Sequence, residues 1–286
     1  MRLGLFAGSL LLGPAAFARE APISDTEDAS LDSQPVGSGR LHPILGVDVR
    51  NGDFVRGAYD DDAASLGRLP VHAQIGLVYQ LARDGDEATS WLEVRSSNGF
   101  HAPNGSEATS PRAWYESNNL VGLAARLAPK LIGAVTYAVK TSPNGVSETT
   151  HELSGALSLD GKSGFGLLHP GFAATWRPKG GGGLYTQATI EPGVDLGGGD
   201  APDRLSAPAA FGIGWRGFYE PGSGSRIFGR VGLAYKHPFR IGRAHLAMRI
   251  EGSALIRDDR LRRLDAPMAS TRAVQPFGTA ALTYAY

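Results

Sequence analysis

The stretch Phe277-Gly278-Thr279-Ala280-Ala281-Leu282-Thr283-Tyr284-Ala285-Tyr286 decides the reading of this chain. Gly278, Ala280, Leu282, Tyr284 and Tyr286 share one face, and Thr279, Ala281, Thr283 and Ala285 share the other. A period of two marks a strand with two different surroundings. In water, a free terminal strand with an apolar face is an aggregation hazard. Paired within a closed barrel, with its apolar face against lipid, it is stable. A soluble β-protein ending in Tyr is the competing reading, so the rest of the chain has to decide.

The opposite end supports export. Met1-Arg2 precedes an apolar run from Leu3 to Leu12, and Ala16-Phe17-Ala18 follows it. A positive start, a short apolar core and an Ala-x-Ala site form a secretory signal peptide, residues 1–18, with cleavage expected after Ala18. The run is too short to span a bilayer as a helix. No Cys follows it, which excludes a lipoprotein anchor, and a chain with Cys 0 has neither disulfides nor thiol chemistry. Lys+Arg 28 balance Asp+Glu 28, and removing Arg2 with the leader leaves 27 against 28, or −1. Without a basic surface, nucleic acid is not expected as a partner. Gly 39 against Met 3 suits strands and turns better than helical bundles.

Residues 19–40, rich in Asp, Glu, Ser, Pro and Gly, read as a flexible N-terminal segment. From 41 to 286 the chain reads as one domain of about twelve alternating segments. The clearest is 71–81, where Val71, Ala73, Ile75, Leu77, Tyr79 and Leu81 oppose His72, Gln74, Gly76, Val78 and Gln80. Others are expected near 44–50, 90–96, 115–127, 131–140, 149–159, 167–176, 184–196, 209–216, 227–235 and 244–256, with the terminal strand last. Pro170 and Pro192 fall inside two of these, where each marks a bulge or a strand end.

Three features favour an all-β, transmembrane antiparallel up-and-down β-barrel over a soluble sandwich. The strand count is even. Connections alternate in length: 51–69, 97–114 and 257–275 are long and polar, whereas Arg83-Asp84-Gly85-Asp86 and Ala128-Pro129 are short. Aromatic residues also gather at strand ends. Tyr115, Tyr137, Trp176 and Trp215 are expected at the outer rim as an aromatic girdle, and Tyr79, Tyr235 and Tyr286 at the periplasmic rim. His151 falls on the lipid side, tolerable only near a rim. The polar faces collect the expected lumen-lining residues His72, Gln74, Gln80, Glu93, Arg95, Glu116, Asn118, Arg126, Glu152, Gln187, Glu191, Arg230, His245, Arg249 and Glu251. Both signs occur, and Glu93 with Arg95, Arg126 with Glu116 and Arg249 with Glu251 suggest pairing. Such a ladder lines a narrow pore or plugs it.

Several short motifs resemble known proteins. Asn118-Asn119-Leu120-Val121-Gly122-Leu123, Ala128-Pro129-Lys130-Leu131, Thr136-Tyr137, Thr141-Ser142-Pro143-Asn144-Gly145 and His151-Glu152-Leu153 look like bacterial putative porins of the TorF type and related uncharacterised outer-membrane families. Gly46-Val47-Asp48-Val49 with Phe54-Val55-Arg56-Gly57 is similar to how those proteins begin their barrels. The likeness is best over 112–160. It implies a barrel in the outer membrane of a Gram-negative bacterium and brings no site residues. The aromatic ending resembles the last strand of outer-membrane proteins, which implies recognition of Tyr284 and Tyr286 by the barrel-assembly machinery.

No Gly-x-Ser-x-Gly elbow is present, and His72 and His245 read as solvated lining residues, so no enzymatic role is expected. No His-Glu-x-x-His spacing is present, and neither a metal nor a cofactor is expected. Asp60-Asp61-Asp62 reads as a solvated loop, and Gly180 to Gly183 lacks the Lys-Ser/Thr and helix of a phosphate loop. The expected function is a narrow channel for small polar or ionic solutes, with outer-membrane lipid as its surroundings. A closed structural or surface-interaction barrel is the alternative, and a lipid-modifying enzyme a further one.

Overall fold

The computed structural model describes residues 40–59, 68–84, 87–103, 109–159, 161, 164–180, 182–198, 202–242, 244–264 and 272–285. The expected signal peptide, almost all of the segment 19–40, the Asp60–Asp62 triplet and Tyr286 lie outside these residues. The strand segments are β1 (Leu41–Arg50), β2 (Phe54–Val55), β3 (Ala58–Tyr59), β4 (Val71–Asp84), β5 (Glu87–Phe100), β6 (Trp114–Ala128), β7 (Leu131–Thr141) and β8 (Thr150–Leu159). They continue with β9 (Gly171–Lys179), β10 (Leu184–Ile190), β11 (Gly193–Leu196), β12 (Asp203–Ser206), β13 (Ala209–Gly214), β14 (Arg226–Ile241), β15 (Ala244–Arg257) and β16 (Val274–Ala285). One short helix, α1 (Asp259–Leu264), precedes β16.

Every sheet pairing is antiparallel, and β1 pairs with both β4 and β16 while β14 pairs with β15, which closes the barrel. β10 and β11 form one wall strand, and β12 and β13 another. The register between them runs unbroken from Tyr185↔Gly214 to Leu196↔Asp203. Pro192 interrupts the first because it has no N–H to donate, yet its carbonyl accepts the Ala207 N–H at 2.8 Å. The wall therefore has twelve strands, and the β2–β3 hairpin stands outside it. Pro170 precedes β9, so the strand expected from 167 begins later, after a 3-10 turn over Gly164–Leu168.

The wall has the inverted polarity of a membrane barrel. Large apolar side chains are exposed on its outside, among them Ile75, Leu77, Val94, Leu123, Val135 and Leu233, while Asp48, His72, Glu93, Glu152, Thr175 and Glu251 are buried inside. That arrangement fits hydrocarbon outside and a polar interior. Tyr79, Tyr137, Trp176 and Trp215 are exposed on the outer wall. Tyr235 lies half-buried on the same face and donates to Asp203 at 2.6 Å. His151, the second residue of β8, contacts the Tyr137 hydroxyl through Nδ1 close to the outer end of that strand.

The lumen is filled from both ends. Near the periplasmic end, Ile44, Val78, Trp91, Ala124, Ala134, Ala156 and Ala173 pack as a small apolar core. At the outer end, the β2–β3 hairpin, the connection after β13 and α1 fold inward. They bring Phe54, Phe218 and Leu261 against Tyr185, Phe228 and Leu255 of the wall. Gly57 makes this close approach possible: its φ is +79°, and a Cβ there would stand 2.5 Å from the Phe228 ring. The Tyr219 hydroxyl donates to the Arg56 carbonyl at 2.7 Å, tying the hairpin to the neighbouring connection.

A candidate acid–base centre in the lumen

The outer ends of β1, β4, β5 and β6 converge on one cluster. The sheet register sets Asp48 opposite His72, His72 opposite Gly99, and Gly99 opposite Glu116. These residues share the inward face because alternation in adjacent antiparallel strands is locked by pairing. A register shift follows Gly99, where Phe100 pairs with Trp114 and leaves Tyr115 as the extra residue. A bulge re-aims side chains. Here it turns Tyr115 inward beside Glu116, with the phenol ring lying over Gly99, where a Cβ would come within 2.6 Å of it. Tyr115 is therefore buried, and the expectation that it belongs to the outer girdle is corrected: strict period two cannot anticipate a bulge.

His72 is fully buried and held at both ring nitrogens. Nδ1 lies 3.0 Å from Asp48 Oδ1. Nε2 lies 2.7 Å from the Tyr115 hydroxyl and 3.5 Å from both Asp53 Oδ2 and Glu116 Oε2. The Tyr115 hydroxyl donates to Asp53 Oδ2 at 2.7 Å, so in that arrangement Nε2–H donates to Tyr115 and Nδ1–H to Asp48. With Nε2 deprotonated the ring is neutral, and the phenol O–H turns to donate to Nε2, which leaves Asp53 without that donor. Asp48, His72, Tyr115 and Asp53 thus form a chain along which one proton shifts.

The surrounding groups set its charge. Arg50 bonds Asp48 at 2.8 Å and approaches Asp53 at 3.5 Å. His101 stacks on Tyr115 with ring centroids 4.5 Å apart. Asn118 donates to Glu116 Oε1. Glu116 keeps 13% side-chain exposure and marks the accessible side of the cluster. Asp53 stands in the loop after β1. Burial raises its pKa, but the charge and hydrogen bond of His72, together with Arg50 and Tyr115, bring it from 3.8 down to about 2. Asp53, His72 and Glu116 offer donor atoms all within 4.8 Å of one another.

A second buried cluster lies across the lumen. Arg56, at the tip of the β2–β3 hairpin, reaches Glu152 with two bonds of 2.7 Å. Arg177 and Lys140 add contacts at 2.8 and 3.3 Å. The Arg56 guanidinium also sits over the Tyr185 and Phe218 rings, and Arg177 over Phe218. A third network joins Arg249 to Glu191 at 2.8 Å and to Glu251 at 2.7 Å, with Arg230 also bonded to Glu251.

The residues expected to line the lumen fall into these groups. His72, Glu116 and Asn118 enter the first cluster, Glu152 the second, and Glu191, Arg230, Arg249 and Glu251 the third. Gln80 pairs with His42 at 3.0 Å, and Glu93 with Arg95 at 3.0 Å. Gln74 and Gln187 are buried on the inward face, the latter accepting from Tyr185. His245 is half-buried on the inward face of β15, near its periplasmic end. The expected Arg126–Glu116 pair does not form: Arg126 stands opposite Ile132 near the periplasmic end of β6, and Glu116 faces His72 instead. Asp48, Arg50, Asp53, Arg56 and Tyr115 were absent from the expected lining. Asp48 and Arg50 do fall on the polar face of the first alternating segment, so that signal was present. Asp53 and Arg56 come from a loop with no period, and Tyr115 from the bulge.

No family model matches the chain, including any for the TorF-type porins it resembles, and no curated protein matches it in sequence. Solved structures of similar shape are outer-membrane barrels. LpxR from Salmonella typhimurium is 12% identical, with 84% of this chain and 99% of that one covered, at a TM-score of 0.43. A bacterial polysaccharide outer-membrane secretin is 7% identical, with 88% and 99% covered, at 0.47. The outer-membrane protease OmpT from Escherichia coli is 7% identical, with 86% and 93% covered, at 0.20. The chain has the fold of an outer-membrane β-barrel, a closed antiparallel wall with apolar side chains outside and polar ones within. The expectation that it has no enzymatic role is corrected: it rested on His72 as a solvated lining residue, and His72 is fully buried between Asp48 and Tyr115.

Proposed function

We propose that the chain is an outer-membrane hydrolase acting on acyl-bearing lipid at the extracellular rim, with the Asp48–His72–Tyr115–Asp53 chain as its acid–base centre. The observation that carries this reading is the imidazole held between a carboxylate on one nitrogen and a phenol–carboxylate pair on the other. Orienting Nδ1 with a carboxylate leaves Nε2 as the proton-exchanging atom. In the reaction, water adds to the acyl carbonyl carbon, the ester C–O bond breaks, and a free acid and an alcohol leave. The proton from water enters the Tyr115–His72 chain and returns to the departing alkoxide.

A trough on the lipid-facing wall supports a lipid substrate. It has a volume of about 630 Å³ and is lined by Val231, Leu233, Gly252, Ala254, Gly278 and Asn51 among others. Its Asn51 end lies at the outer end of β1, the strand end that also carries Asp48 and leads into the loop of Asp53. The filled lumen, with buried ion pairs at Glu152 and Glu251 and Trp91 in the apolar core, weighs against the narrower porin reading. A channel needs a continuous wet path.

The test incubates purified barrel with vesicles containing lipopolysaccharide and phospholipid and detects released fatty acid by mass spectrometry. Release by wild type and its loss in His72→Gln is expected. No release from folded wild type, combined with steady conductance in planar bilayers, would overturn the reading in favour of transport.

A further inference from the structure

We propose that Asp53 and Glu116, with His72 Nε2, form a binding site for a divalent transition-metal ion of zinc or manganese type. This deepens the hydrolase reading by naming a cofactor and changes one role in it: with the ion bound, the Nε2 lone pair goes to the metal, so His72 holds the ion and no longer exchanges the proton, and binding itself does not depend on that reading. The geometry comes first. For metal–ligand bonds of about 2.1 Å, tetrahedral ligands stand about 3.4 Å apart. Nε2 stands 3.5 Å from Asp53 Oδ2 and 3.5 Å from Glu116 Oε2, too far for good hydrogen bonds and close to that ligand spacing. The Tyr115 hydroxyl, 2.7 Å from both Nε2 and Asp53 Oδ2, lies between them, so loading requires it to give way.

The second shell is present as well. Nδ1 is held by Asp48 at 3.0 Å, the carboxylate–imidazole arrangement that fixes a metal-binding histidine. Charge points the same way: among the described residues whose ion pairs meet here, Asp48, Asp53 and Glu116 against Arg50 leave two negative charges around a neutral imidazole, and a proton on His72 offsets only one. A divalent ion offsets both, and buried charge without compensation is costly.

Buried polar atoms without partners give an independent sign. Gln74, 3% exposed and two residues from His72 on the same inward face, has no hydrogen bond at either amide atom among the described residues. Among the described residues, Ser97, opposite Gln74, and Asn118, opposite Ser97, leave Oγ and Oδ1 unbonded, and Asp53 Oδ1 has the 3.5 Å approach of Arg50 but no hydrogen bond. Such orphans call for water or an ion. Water bound to a cation donates strongly and satisfies the acceptors in this row. The imidazole selects against calcium and magnesium, which prefer all-oxygen shells.

Isothermal titration of chelator-treated, folded full-length barrel with Zn²⁺ and then Mn²⁺ tests this. One saturable site per barrel is expected, with affinity reduced at least tenfold in His72→Gln and in Glu116→Gln and unchanged in Glu220→Gln, an exposed control. X-ray absorption at the zinc edge on loaded wild type is expected to show one imidazole among oxygen ligands, which keeps the proposal testable if the variants misfold. Absence of saturable binding, unchanged affinity in both variants, or a shell of several imidazoles overturns it. Fatty-acid release that persists without metal binding removes the cofactor and leaves the hydrolase; binding without release does the reverse.

Discussion

The two charged clusters at the outer end of the lumen invite comparison. Both are buried and both are built from side chains of wall and loop together. Around Glu152 the partners complete one another: three cations surround the carboxylate, two of them stacked on aromatic rings, and the carboxylate is fully bonded. Around His72, among the described residues, carboxylates outnumber cations, contacts of 3.5 Å stand where shorter ones would be stable, and neighbouring polar atoms lack hydrogen bonds. A satisfied buried network holds structure in place. An unsatisfied one is retained at a cost in stability, which is the expectation for a site that meets something else. The Glu152 cluster staples the β2–β3 hairpin into the lumen, and the His72 cluster is the one proposed to react.

Mutations separate these roles. The largest effect on stability is expected from Glu152→Gln, which keeps the shape but strands Arg56, Arg177 and Lys140 around a neutral amide. Breaking a buried ion pair on one side costs about 3–5 kcal/mol, measurable as a lower unfolding midpoint in detergent by circular dichroism. Acid comes next. Asp53 is depressed from 3.8 to about 2, so its stabilisation is complete above pH 4 and is lost as the pH falls toward 2. That loss is on the order of 2 kcal/mol, and Asp53→Asn removes this part of the acid transition in a pH-dependent melt.

Tyr115→Phe removes the hydroxyl between His72 and Asp53. It is expected to reduce fatty-acid release about tenfold while changing stability by roughly 1 kcal/mol, as read from parallel turnover assays and melts. The smallest effect is expected at the trough. An added side chain at Gly252 meets no atom within 4 Å, so Gly252→Leu fits without strain and fills the groove. KM for lipid vesicles should rise about threefold with kcat unchanged, because only uniform binding is removed.

Much of the wall was legible in the sequence. Strand alternation at 71–81 and 115–127, the even count and the uneven connections all follow from period two and from the two-sided surroundings of a barrel. The lumen face was legible for the same reason, down to Glu93 beside Arg95 and Arg249 beside Glu251. What escaped was whatever breaks the period. The Tyr115 bulge reverses one side chain with no mark in composition, and the Pro192 interruption resembles a strand end when only the missing donor is considered. Loop residues that fold inward, Asp53 and Arg56, carry no periodic signal, and their partners lie far away in sequence: Arg56 and Glu152 are 96 residues apart. The candidate acid–base cluster was hidden because its members come from separate strands and a loop, and its strand residues meet only through register. Its Asp48 and His72 sit 24 residues apart and face one another across a single ladder.

Turnover per folded barrel, compared between His72→Gln and Glu152→Gln, tests the distinction between the two clusters most directly. The account predicts that His72→Gln melts close to wild type and loses fatty-acid release by about a hundredfold or more, while Glu152→Gln melts early but retains near wild-type turnover in the fraction that remains folded. Equal turnover in the two folded variants, or wild-type activity in His72→Gln, would contradict it.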